Sequence, residues 1–174
     1  RRSSDLIGVY DMGITIHFEG KLLNEQAFDE LMTEISAIAV INGWQVNSIF
    51  LKKTQLNRVQ NKKTTFYVGP TKGLEVLLHE NCEPFRLEFD ENLFIQEFTK
   101  TQFAPEQVHM DISTLLHKIT PYFESLQVID EGEYFETEND EILHHNRSRC
   151  FELFEEHLAK DSTLRGPVKL PGGR

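Results

Sequence analysis

An alternating run, Phe85-Arg86-Leu87-Glu88-Phe89, and an apolar-rich strand, Leu93 to Thr99, stand on either side of Asp90-Glu91-Asn92. An apolar residue at every second position is the period of a strand with one face buried, and three polar residues suffice only to turn the chain back on itself. The pair is expected to form an antiparallel hairpin with a three-residue loop. Upstream, Ile14, Ile16 and Phe18 alternate with Thr15, His17 and Glu19 in another half-buried strand. Ala27, Phe28, Leu31, Met32, Ile35, Ile38 and Ala39 then recur at helical spacing, with Asn24 placed to cap the helix and Gly43 to stop it. Trp44 to Leu51 reads as the next strand, so the chain opens strand–helix–strand.

Two more helices are predicted. One starts near Glu106, carries Val108, Ile112, Leu115, Leu116 and Ile119 on one stripe, and ends at Pro121. A short strand, Leu126 to Ile129, follows. The last helix is expected to start at a Thr137-x-x-Asp140 capping box and to bury Leu143, Cys150, Phe151, Phe154 and Leu158. Leu74, Val76 and Leu78 form a further alternating run, and Thr64 to Val68 a candidate strand ended by a Gly69-Pro70 turn. The expected fold is α+β: a mainly antiparallel sheet with about three helices packed on one face. The other face would carry His17, Glu75, His79, Arg86 and Glu88. The domain is expected over 12–160, with 1–11 an upstream extension or remnant and 161–174 a flexible tail.

Composition narrows the function. Thirteen Phe in 174 residues supply the bulk of a core, and a formal charge of −10 argues against a general DNA binder. No apolar run approaches the roughly 18–20 residues that span a bilayer, and Arg1-Arg2-Ser3-Ser4-Asp5 is not the start of a signal peptide. Cys82 and Cys150 are expected as reduced thiols, and the protein as cytoplasmic. Glu141 with His145, or His79 with Cys82, approach ligand spacing but supply two ligands where zinc needs three or four, so no metal and no cofactor are expected. Phosphate loops, dinucleotide fingerprints and Gly-x-Ser-x-Gly are absent.

One stretch gathers ionisable groups of both signs beside aromatics. Lys100-Thr101-Gln102-Phe103-Ala104 leads into the second helix, His109 lies in its first turns, and Asp130-Glu131-Gly132-Glu133-Tyr134-Phe135-Glu136 follows the next strand. Lys100, Gln102, His109, Asp130, Glu131 and Glu136 are the candidate ligand-binding set. Tyr134 and Phe135 would wall the pocket, and His109 with Asp130 or Glu131 is the candidate acid–base pair. The same residues admit a structural reading, in which the acidic turn shapes the approach to the last helix, Gly132 supplies a positive φ, and Lys100 pairs at the surface. A third feature is Lys52 to Lys72, which holds Lys52, Lys53, Arg58, Lys62, Lys63 and Lys72 without an acid. Within it Lys52–Lys63 is expected to be the most mobile internal segment, and Phe66 and Tyr67 are available to stack RNA bases.

The Lys-Thr-Gln-Phe-Ala run, the helical histidine and Asp-Glu-Gly-x-Tyr-Phe-Glu resemble motifs of an uncharacterised bacterial protein family. There the patterns are Lys-Thr-Gln-[Phe/Tyr]-Ala and Asp-Glu-Gly-x-[Phe/Tyr]-Trp-Glu, with Phe135 standing here for the tryptophan. Cys82-Glu83-Pro84 and the strand ending Phe89-Asp90 are similar too, so the resemblance covers about residues 74–145. It implies a shared frame and a bacterial, cytoplasmic origin, and no activity. The expected function is a non-catalytic binding or interaction module for a partner protein or a small polar ligand. The alternatives are an enzyme acting on a polar small molecule through His109 with Asp130 or Glu131, and an RNA-contacting accessory protein using Lys52–Lys72.

Overall fold

A computed structural model describes residues 13–160; the expected extension and tail lie outside the described residues. The chain runs β1 (Thr15–Leu22), α1 (Glu25–Asn42), β2 (Gln45–Gln60), β3 (Lys63–Leu77), β4 (Phe85–Phe89), β5 (Phe94–Lys100), α2 (Glu106–Ile119), β6 (Phe123–Asp130), α3 (Tyr134–Thr137) and α4 (Asp140–Lys160). This is an α+β fold with antiparallel pairing throughout. The strands form two ladders, β5-β1-β6 and β2-β3-β4, joined by the β4–β5 turn.

That turn is tight because Asp90 organises it. Its backbone exchanges hydrogen bonds with Leu93 and Phe94, and its carboxylate accepts from the N–H of Asn92 at 2.9 Å and of Phe94 at 3.1 Å. Leu93 takes φ 60° within this turn. The expected β4–β5 hairpin is not formed: past the turn the two strands part, because β4 finds its partner in β3 and β5 in β1. Asn24 caps α1 by accepting from Ala27 N–H at 2.9 Å, and Gly43 ends it at φ 70°.

One apolar core joins the two ladders. Ile16 and Phe18 of β1 meet Leu31 and Ile35 of α1, Ile112 and Leu116 of α2, and Phe85, Leu87 and Phe89 of β4. The Phe18 and Phe85 rings, one from each ladder, lie 5.5 Å apart. Each such buried side chain contributes roughly 1.5–3 kcal/mol.

Several expectations change. Lys52–Lys63, expected to be mobile, belongs to a paired ribbon: β2 and β3 pair from Gln45↔Leu77 out to Gln60↔Lys63. Asn61 and Lys62 both take positive φ, the backbone of a two-residue hairpin turn. Gly69-Pro70 lies inside β3, opposite a bulge that places Lys52 and Lys53 against one residue of the partner strand. On the outer face His79 falls beyond β3, and Glu88 is buried, accepting from the Thr71 hydroxyl at 2.7 Å. Helix α4 is capped by Asn139, which accepts from Glu141 N–H, and Thr137 closes α3 instead. Leu143 is buried, Cys150 is half-buried and Phe151 is exposed, because only the first turns of α4 press on the rest of the molecule.

Candidate functional site

Helix α2 delivers His109 to the inner face of the β5-β1-β6 ladder, where β6 ends. The register sets Ile16 between Thr99 and Asp130, so the Asp130 carboxylate points into the core side. His109 is fully buried, and its Nε2 lies 3.0 Å from Asp130 Oδ2. An ionised carboxylate only accepts, so Nε2–H donates. Nδ1 lies 2.7 Å from Thr101 Oγ1, a hydroxyl able to donate or accept, whose oxygen is also 3.4 Å from Ile14 O.

Asp130 gathers three further donors. Oδ1 accepts from Gly132 N–H at 2.7 Å, and Oδ2 accepts from Tyr134 and Phe135 N–H at 2.9 Å each. Burial alone would raise this carboxyl's pKa. The His109 hydrogen bond and charge, with the Phe135 and Gly132 N–H groups, outweigh burial and hold it below the ordinary aspartate value. The group is thus an ionised hub that ties α2, β6 and the start of α3 together. Gly132 belongs to it by close approach, not by a positive φ: a Cβ there would sit 2.9 Å from His109 Nε2 and 2.7 Å from Leu143 Cδ1. The positive φ falls on Glu133.

The other frame residues lie elsewhere. Thr15 pairs with Lys100, one step from Ile16, so Lys100 stands on the opposite face of the sheet from Asp130. Its backbone N–H donates to Glu83 Oε2 at 3.1 Å, and its carbonyl lies 3.5 Å from Cys82 Sγ. Glu131 accepts from Thr15 N–H at 2.9 Å and lies 3.7 Å from His17, also away from His109. Gln102 is buried, and Glu136 is exposed on α3. The pocket framed by Lys100 and Gln102 on one side and Asp130-Glu131 on the other is therefore not formed, because the interior between His109 and Asp130 is filled. Phe135 stacks on His117 at 3.9 Å instead of walling a cavity.

Sequence reasoning missed three members of this knot. Thr101 lay inside a motif already singled out. Arg147, four residues after Leu143 on the buried stripe of α4, donates from Nη2 to Gln102 O at 2.9 Å and Ala104 O at 2.6 Å. Glu83 holds the Cys-Glu-Pro turn against Lys100. Burial, with Glu83 beside it, pushes the Cys82 thiol up to about 12, and Cys82 and Cys150 are both free.

Two open clefts of about 590 and 690 Å³ lie at the start of α1 and at the tip of the β2–β3 ribbon; none of the frame residues lines either. Among the described residues, no group of three or more His, Cys, Asp or Glu is placed to hold a metal ion, and no helix is long and apolar enough to cross a membrane. Compared with protein-family models, curated proteins and solved structures, the chain matches none of them.

The ribbon carries the other unusual surface. On β3, Val76 and Leu74 face α1 and are buried, and Lys72 lies over the Phe28 ring and pairs with Glu25 at the start of that helix. Beyond Lys72 the helix has ended. The same face continues with Phe50, Val68 and Phe66, which are 79%, 55% and 61% exposed. The opposite face is held down: Arg58 pairs with Asp90 at 3.4 Å and lies over Phe94, and the Tyr67 hydroxyl donates to Pro70 O at 2.7 Å. At the ribbon's edge, the Gln96 amide accepts from Val59 N–H at 2.8 Å and donates to Val59 O at 2.9 Å.

Proposed function

We propose that the protein is a non-catalytic interaction module, working in the cytoplasm, that engages a partner protein through the β2–β3 ribbon. The observation that carries this reading is the uncovered apolar face of Phe50, Val68 and Phe66. Apolar side chains scattered singly over a surface are ordinary, but three on one face of one ribbon, held rigid from behind, make a patch of the kind partners use. The acid–base alternative loses its support, since His109 is shut from solvent and Asp130 has its acceptors filled by the protein itself. A general acid or base must reach a substrate proton.

The test is to crosslink partners in cells producing the wild type, a Phe66→Ser/Val68→Ser variant or a Lys100→Met variant at equal levels, and then rebuild any complex from purified components. A rebuilt complex that is lost with the ribbon variant and kept with Lys100→Met supports the reading. A complex indifferent to the ribbon variant, or turnover of a small molecule that depends on His109, overturns it.

A further inference from the structure

We infer that the uncovered face of the ribbon receives an acidic, amphipathic segment of the partner protein. This rests on the interaction reading above and adds the chemistry of the occupant. The apolar stripe is bordered by basic residues, Lys52 and Lys53, where the bulge sets them opposite Pro70. Of the bases between 52 and 72, Arg58 and Lys72 are satisfied by Asp90 and Glu25, while Lys52, Lys53 and Lys63 form no ion pair among the described residues. There is no acid from Lys52 to Lys72, in a chain whose net charge is −10. A positive border around an apolar stripe complements carboxylates flanking aliphatic or aromatic side chains, and it steers such a segment during encounter.

The stripe also sets a length. Phe66 to Lys72 along β3 spans about 20 Å at the rise of a strand, which a helix of about 14 residues matches. Nucleic acid fits less well. Phe66 and Tyr67 are adjacent in a strand and point to opposite faces, and Tyr67 is tied to Pro70, so the two rings offer no common stacking platform.

A displayed library of random peptides of about 14 residues, panned against the full chain, tests this. The chain is used as wild type, as Phe66→Ser/Val68→Ser, and as Lys52→Gln/Lys53→Gln. These positions are exposed, and circular dichroism checks that each variant is folded. Wild type is expected to enrich peptides with carboxylates beside aromatic or aliphatic residues. Binding of the synthesised winner, read by fluorescence anisotropy, should weaken about tenfold in each variant and fall as salt rises from about 50 to 300 mM. Winners that need Phe66 and Val68 but carry no acidic bias and ignore the lysine changes overturn the acidic occupant and leave the interaction reading standing. No winners, or winners indifferent to both variants, overturn both. A twelve-nucleotide RNA that binds more tightly and displaces the peptide, or self-association abolished by Phe66→Ser/Val68→Ser, overturns the inference in favour of nucleic acid or a second copy.

Discussion

At the scale of single residues, two carboxylates respond to burial in opposite ways. Asp130 is buried among four donors, which keep it ionised. Asp130→Asn leaves His109 without its charged partner, and the expected loss is about 3 kcal/mol by urea unfolding. Because the folded pKa lies below the ordinary 3.8, this stabilisation is complete above that pH and is lost as the pH falls through the depressed value. The variant should therefore lack part of the wild type's acid-induced loss of stability below pH 3.8. Glu97 is the converse. Burial, then the nearby Glu88, push its carboxyl up to about 7 against the pull of Arg86 and Arg58. Its protonated form is favoured by folding, so the benefit is full below 4.5 and is lost as the pH rises through about 7. Glu97→Gln should flatten stability across that window and gain about 3 kcal/mol on the wild type between its lower and upper ends, measured by denaturant titration at each pH.

At the scale of elements, the ribbon is the informative case. A two-stranded hairpin is marginal by itself in water, yet this one extends far beyond α1. Arg58 on Asp90 and Phe94, Tyr67 on the β4–β5 turn, and the Gln96 amide on Val59 anchor it to the rest of the molecule. Removing one anchor should loosen its outer half alone. In Gln96→Ala, amide exchange at Arg58, Gln60, Lys63 and Thr65 is expected to speed up about tenfold, the effect of one net hydrogen bond. Leu74 and Val76, under α1, should keep their protection. Equal acceleration in both halves would mean that the ribbon has no separate outer unit.

At the scale of the whole molecule, the two ladders share one core. Phe85 of one meets Phe18 of the other, and both are buried. Phe85→Ala is expected to cost about 4 kcal/mol through lost burial and the cavity left behind. Both ladders should melt together in the variant, with the far-ultraviolet signal and the fluorescence of Trp44, which packs against the core, changing in one coincident transition. Separate transitions would show that the shared Phe contacts do not couple the ladders.

The stripes of α1 and α2 and the α+β class were legible in the chain, because apolar period and capping residues are local properties; the expected β4–β5 hairpin is not formed, since β4 pairs with β3 and β5 with β1. Parts of the β2–β3 ribbon were legible too, as the strands 44–51, 64–68 and 74–78, but its continuity from Lys52 to Lys63 was not. Its turn is Asn61-Lys62, lacking the glycine that usually marks such a turn, and from Lys52 to Lys63 the residues are mostly polar or basic, so no alternation announces that stretch as strand. Only docking against Asp90, Phe94 and Gln96, residues distant in sequence, holds it in place. The candidate site divided in the same way. That Thr101, His109, Asp130 and Gly132 belong together could be read from their motifs. Which face of the sheet each takes depends on strand register, and register turned Lys100 and Glu131 away while it closed His109 over Asp130. A polar motif has one composition whether it lines a pocket or fills an interior; tertiary packing decided that this one fills an interior.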